Sequence, residues 1–324
     1  MRLIDSFGRQ HTYLRISVTD RCNYRCVYCM PPEGLKWKPK QNLLRYEELA
    51  RLVHIFSELG INHIRITGGE PTIRSDIVRL ISAISQIQGI SDIAMTTNGH
   101  TLPNLAQPLA AAGLKRLNVS LDTLQADKFQ KVTRGGSLKR VLEGIKQAQQ
   151  YGLHPIKINT VMLRGFNDNE LFDLINFCVS NNLELRFIEY MPFEKRWHQS
   201  IPEKDIRKKL NKKYNLLPIR RGTGVGPAKN YRLQQNGLKI GFISPLSKKF
   251  CSDCNRLRLT ADGHLRTCLA HEDTPSLKDY LRRSVPDLEI ANAIRRMVFG
   301  KPEGHFCEIE NGKLFEGVMT QIGG

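Results

Sequence analysis

Six short β-branched runs, each followed by a stretch of helical periodicity, set the strongest limit on how this chain folds. The runs are "YLRISVT" (13–19), "HIRIT" (63–67), "IAMTT" (93–97), "RLNVSL" (116–121), "IKINTVM" (156–162) and "ELRFIEY" (184–190). Between them lie "RYEELARLVHIFSELG", "SDIVRLISAISQI", "LPNLAQPLAAAGL", "SLKRVLEGIKQAQQYG" and "DNELFDLINFCVSNN", whose apolar residues recur near every 3.6 positions. Ser75 and Asp76 read as a helix start, and Gly60, Gly113 and Gly152 as C-terminal caps. Such alternation predicts parallel strands with helices packed outside. Six units fall short of a complete eight-unit barrel. An incomplete (βα)6 TIM-like barrel and an open doubly wound sheet both satisfy the pattern. In either, ligands gather at the carboxyl ends of the strands, and the unusual residues cluster there. A cysteine loop follows the first run, "TGGEP" ends the second and "TTNG" the third. Ser120 and Asp122 end the fourth, and "EYMP" the sixth.

After about residue 215 the pattern changes. "IRRGTGVGPAKNYRLQQNGLKIGFISPLS" is rich in Gly and Pro and holds two strand-like runs, "YRLQ" and "LKIGFI". Helical patterns follow at 276–283 and 287–297. The expected division is 1–215, a partial barrel, and 216–324, a smaller α+β extension. "GTGVGPA" alone does not make a phosphate loop, because no G-K-[ST] follows it.

Of 324 residues, 40% are hydrophobic and 25% charged, the make-up of an ordinary globular protein. The first twenty residues lack an apolar signal core, and no apolar run reaches the roughly 18 residues of a membrane span. A cytoplasmic protein with no membrane partner is expected. The formal net charge of +18 asks for an anionic partner or a solvated basic surface. Aromatic residues do not interleave with the basic runs as in a single-strand binder. A phosphorylated small molecule is therefore favoured over nucleic acid.

The cysteines narrow the chemistry. Six of eight fall in two groups of three. Cys178 lies in an apolar helical pattern and reads as core, and Cys307 in "GHFCEI" reads as a strand residue. Cys22, Cys26 and Cys29 are spaced C-x3-C-x2-C. Structural zinc takes four donors, usually in separated pairs. Three thiolates in one loop suit an iron–sulfur cubane whose fourth iron has no protein ligand. A Cys3His zinc site would need a histidine, and His11 is the nearest. Cys251, Cys254 and Cys268 form the second set, C-x2-C-x13-C. Taken alone it reads as zinc, with His264, His271 or His305 as the fourth donor. Beside a first cluster, a second cubane with an open iron becomes attractive. Arg256 and Arg258 follow at once. On a strand they share one face and suit phosphate oxygens.

C-x3-C-x2-C after a first strand, with Tyr28 before the third cysteine and "GGEP" ending the next strand, resembles the radical S-adenosylmethionine superfamily. The resemblance narrows further to the GTP 3′,8-cyclases that open molybdenum cofactor biosynthesis. It rests on "DSFGRQHTYLRISVTDRCNYRCVYCMP", "RITGGEPTIR", "VSLDT", "EYMPF", "GPAKNYR", "CSDCNRLRLTADGHLRTCL" and the terminal "MTQIGG". It implies two [4Fe-4S] clusters, one on Cys22, Cys26 and Cys29, the other on Cys251, Cys254 and Cys268. It implies S-adenosyl-L-methionine lined by Tyr28, Gly69, Ser120 and Met191. GTP would be held by Arg15, Arg65, Thr96, Lys157, Arg256 and Arg258. Arg256, Arg258 and a tail carrying Gly323 and Gly324 are the expected catalytic groups. The implied partners are a reducing protein of flavodoxin or ferredoxin type, the downstream cyclic pyranopterin monophosphate synthase and a second copy in a homodimer.

Two departures from the family pattern stand out. Phe193 and Glu194 occupy a loop that is often smaller and Gly-containing, and Thr72 stands where an aliphatic residue is expected. Two competing readings are a peptide-modifying radical enzyme with an auxiliary cluster, and a zinc-stabilised basic RNA-binding protein.

Overall fold

The computed structural model describes residues 2–191, 199–219, 226–269 and 275–304. His271, His305, Cys307, Phe193, Glu194, Gly323 and Gly324 lie outside them. Two short strands open the chain, β1 (Leu3–Ile4) and β2 (Gln10–His11), paired antiparallel. The six runs then become β3 (Tyr13–Ser17), β4 (His63–Thr67), β5 (Asp92–Thr97), β6 (Arg116–Ser120), β7 (Ile156–Val161) and β8 (Glu184–Ile188). They lie side by side in chain order, all parallel.

The helices between them are α1 (Tyr46–Glu58), α2 (Ile77–Ser85), α3 (Leu102–Ala111), α4 (Ala126–Thr133), α5 (Leu138–Gln150) and α6 (Leu171–Ser180). Helix α4, mostly polar, gave no clear periodic signal. Gly60, Gly113 and Gly152 sit at positive φ, as C-terminal caps require. Asp76 stands at the start of α2 in the left-handed region and makes no side-chain cap bond. Cys178 is fully buried on α6, as its pattern suggested.

Period-two alternation decides which residues face which layer. Leu14, Ile16, Ile64, Ile66 and Ile158 join the apolar core with Leu49, Leu52 and Phe56 of α1. Their neighbours Arg15, Arg65, Lys157 and Asn159 point the other way and line a central cavity.

Strands from the described residues beyond β8 extend the same sheet. After α7 (Glu203–Leu210) come β9 (Leu216–Pro218), β10 (Lys229–Leu233), β11 (Lys239–Ile243), β12 (Arg256–Leu259) and β13 (Leu265–Arg266). Strand β11 joins β8 in parallel, and β12 joins β3 in parallel. The sheet order is β13-β12-β3-β4-β5-β6-β7-β8-β11-β10-β9. Eight consecutive strands are therefore parallel, six from the repeating units and one added at each side. The sheet runs without a break across residue 215. Two helices close the described chain, α8 (Leu277–Arg282) and α9 (Asp287–Phe299). They return to the first half, where Arg282 Nε donates to Glu48 at 2.9 Å and Arg51 Nε to Asp287 at 2.8 Å. No helix among the described residues is long and apolar enough to cross a membrane.

Candidate active site

Parallel strands in register turn a short sequence pattern into a row of side chains. Arg258 on β12 pairs with Arg15 on β3, which pairs with Arg65 on β4. On the same face, Asn159 of β7 pairs with Arg186 of β8, and Asn118 of β6 with Lys157 of β7. These residues line one cavity of about 420 Å³. Like charges in adjacent register positions repel, and burial adds to the penalty. Burial and the neighbouring Arg65 lower the Arg186 guanidinium to about 10; burial and Arg256 do the same to Arg258. Burial, with Arg258 next in importance, also lowers Arg15 well below its ordinary value.

Some cavity cations already have acidic partners. Lys157 pairs with Glu184 at 2.8 Å, and Arg116 pairs with Asp92. Arg65, Arg186, Arg256 and Arg258 have no carboxylate ion pair among the described residues. Arg65 instead donates to the Tyr13 hydroxyl and to Thr96 Oγ1, and Arg256 lies over the Phe250 ring at 4.9 Å. Arg258 Nε and Asn159 Oδ1 are buried with no hydrogen-bond partner among the described residues. A site with surplus cations and unanswered polar atoms is prepared for an anionic, hydrogen-bonding ligand.

The first cysteine loop sits at the carboxyl end of β3. Its turn is closed by Cys29 N and Met30 N, which both donate to Cys26 O at 2.9 and 3.0 Å. Helix α4 holds its outer side, since Arg25 N and Val27 N donate to Thr133 O and Val132 O. "GGEP" holds the inner side. Gly69 N donates to Thr19 O at 2.7 Å and Glu70 N to Arg21 O at 2.8 Å. A Cβ on Gly68 would stand 2.7 Å from Thr19 O, and one on Gly69 would come closer still to Arg21 O. The glycines are needed because two backbones touch there. Glu70, 1% exposed, accepts from Thr72, Thr97 Oγ1 and Asn98 N. Thr72 thus uses a hydroxyl that an aliphatic residue would lack.

The chemistry of the donor set fits a thiolate-held cluster in each place. Cys22, Cys26 and Cys29 line the cavity, and Tyr24 N donates to Cys22 Sγ at 3.4 Å. Burial pushes the Cys22 thiol up to about 11, and burial together with Cys29 raises Cys26. Cys251, Cys254 and Cys268 line the same cavity. Burial raises Cys254 too, but the cations of Arg256 and Lys301 outweigh it and bring the thiol down to about 7. Among the described residues, no three His, Cys, Asp or Glu side chains converge as a single metal ion requires. His264 Nδ1 lies 3.4 Å from Asp262, and His11 is buried against Asp5 at 3.0 Å.

Topology sets the two triplets at opposite ends. The first follows the carboxyl end of β3. Cys254 precedes the amino end of β12, which runs parallel to β3 with Arg256 opposite Tyr13. Cys268 follows β13, antiparallel to β12. The five residues of β3 separate the ends by about 13 Å, and the arginine row lies between.

Tyr28, Gly69, Ser120 and Met191 line the cavity. Tyr28 donates its hydroxyl to Asp122, whose carboxyl burial raises to about 6. Arg15, Arg65, Thr96, Lys157, Arg256 and Arg258 line it as well. Arg186 and Asn159 were missed from sequence. Their signal was a polar residue at every second place in an apolar run, as in "IKINTV" and "ELRFI".

Comparison with known proteins agrees with this geometry. The model described as "Radical SAM superfamily" matches residues 16–178, and "Molybdenum Cofactor Synthesis C" matches 183–307. A GTP 3′,8-cyclase of Peptoclostridium acidaminophilum is 45% identical, covering 99% of this chain and 98% of its own. That of Geobacter sulfurreducens is 42% identical, with 100% of both covered. Streptococcus suis SuiB, solved with S-adenosylmethionine, shares the fold with a TM-score of 0.60 at 16% identity, over 89% of this chain and 69% of its own. The cysteine loop, the glycine strip behind it and the match along nearly the whole length place this chain in the GTP 3′,8-cyclase family of the radical S-adenosylmethionine superfamily.

Proposed function

We propose that this chain converts GTP to (8S)-3′,8-cyclo-7,8-dihydroguanosine 5′-triphosphate, the first step of molybdenum cofactor biosynthesis. The observation that carries this reading is a row of arginines, with Arg65 and Arg258 buried, between two cysteine triplets at opposite ends of one cavity. A nucleoside triphosphate supplies what that space lacks, several negative charges and a base with hydrogen-bonding edges.

Cys22, Cys26 and Cys29 hold one [4Fe-4S] cluster, and Cys251, Cys254 and Cys268 a second. A cluster and S-adenosyl-L-methionine bound at the first triplet would supply the radical chemistry that removes hydrogen from C3′ of GTP, and once C3′ joins C8 one electron from the reductant and one proton would complete the product. The protein's residues position the two reactants. Tyr28, Gly69, Ser120 and Met191 line S-adenosyl-L-methionine. Arg15, Arg65, Thr96 and Lys157 hold GTP from the strands, joined by Arg186. Arg256 and Arg258 hold it from the side of the second triplet and, as cations near the base, would favour the reduction and protonation that follow ring closure. Gly323 and Gly324 are assigned by resemblance to a tail that enters the site. The protein works in the cytoplasm with a flavodoxin- or ferredoxin-type reductant, as a homodimer, and passes product toward cyclic pyranopterin monophosphate synthase.

The test is one anaerobic incubation of reconstituted protein with S-adenosyl-L-methionine, reductant and GTP, read by mass spectrometry. One 5′-deoxyadenosine and one GTP isomer of unchanged mass per turnover are expected. If 5′-deoxyadenosine forms while GTP stays intact, the substrate assignment is wrong.

A further inference from the structure

Lys301 is 3% exposed, and lysine is almost never so buried without an acidic partner. Among the described residues no carboxylate lies within ion-pair distance of it. Its ammonium donates to Arg256 O at 2.9 Å and to Thr267 O, and lies 3.9 Å from Cys254 Sγ. Arg256 is two residues after Cys254, and Thr267 immediately precedes Cys268. One cation therefore ties together the two chain segments that bring these thiols to the cavity. The third member is tied separately. Arg9 Nη1 donates to Cys251 O at 2.9 Å, and Arg9 Nε is anchored on Asp5 Oδ2 at 2.7 Å.

We propose that Lys301 is a positioning residue for the second cysteine triplet, the resident counter-ion of its thiolates and of the cluster they hold. Burying an ammonium among carbonyls alone is unfavourable. Thiolates beside it restore the balance, so the charge of Lys301 and the loaded state of the triplet stabilise each other. A cation beside a cluster also raises its reduction potential, because it favours the more negative, reduced form. The inference rests on the two-cluster reading above.

The variants Lys301→Gln and Lys301→Arg test it in the full-length reconstituted protein. Gln keeps a donor for the carbonyls and removes the charge; Arg keeps the charge. A chelator should strip about four of about eight irons from Lys301→Gln roughly 10–100-fold faster than from the parent. The other four irons should be retained, and Lys301→Arg should resemble the parent. A redox titration followed by electron paramagnetic resonance should show a more negative second cluster in Lys301→Gln. Equal stripping rates and potentials in parent and Lys301→Gln overturn the role of Lys301 and leave the cluster assignment standing. If the parent itself reconstitutes with only about four irons, the two-cluster reading fails and this inference with it.

Discussion

Cys22, Cys26 and Cys29 lie within eight residues on one loop, whereas Cys251, Cys254 and Cys268 span eighteen. The first loop is gripped by backbone groups. Cys26 O, Thr133 O and Val132 O accept its amides, and the glycine strip presses on its carbonyls. The second set is gripped by cationic side chains from both ends of the chain, Arg9 and Lys301. The electrostatics differ in the same sense. Burial leaves the Cys22 thiol at about 11, while Arg256 and Lys301 bring Cys254 to about 7 against the same effect. Backbone contacts hold the local loop, and charged side chains tie the dispersed set together.

The largest effect expected on this comparison comes from Cys22→Ala, which should abolish 5′-deoxyadenosine formation. Normal production by that variant would show that the first triplet is not the site of cleavage. Next in size are Arg256→Ala and Arg258→Ala, which remove charge at the second end. Each should weaken GTP binding by roughly 1.5–3 kcal/mol, about 10–150-fold, with iron content unchanged. Anaerobic titration measures this, and undiminished affinity in both variants removes the phosphate-binding argument.

A smaller loss is expected from Gly69→Ala, which forces a methyl group against the Arg21 carbonyl. Overpacking of this kind lowers stability by about 1–3 kcal/mol, seen as a lower denaturant midpoint. A midpoint equal to the parent's would mean that the first loop does not depend on that close approach. The smallest effect belongs to the buried thiol outside both triplets. Cys178→Ala should change stability by about 1 kcal/mol and leave iron and product yield as they were. Burial alone pushes that thiol up to about 12, so it stays protonated. Loss of iron in Cys178→Ala would draw it into the metal chemistry after all.

Much of this site is legible in the amino-acid sequence. "CNYRCVYC" and "GGEP" are local, and their roles follow from donor chemistry and from the small size of glycine. The inward-facing cations Arg15, Arg65 and Lys157 are readable because strands alternate with period two. Arg186 follows the same alternation in "ELRFIEY", but only the pairing of β8 with β7 sets it beside Asn159. Thr72 is a departure in sequence alone, and its hydroxyl on Glu70 explains it.

The sequence by itself determined the six strand–helix units, the two sets of three thiols and the family. Periodicity, spacing and motif are properties of neighbours along the chain. Only the tertiary structure decided that β11 and β12 extend the sheet at both sides, and that β12 lies beside β3 in the register that aligns Arg258, Arg15 and Arg65. It alone set the triplets at opposite ends of one cavity and brought Lys301 to Cys254. Pairing across more than two hundred residues is chosen by the collective burial of the sheet, and no local pattern encodes it.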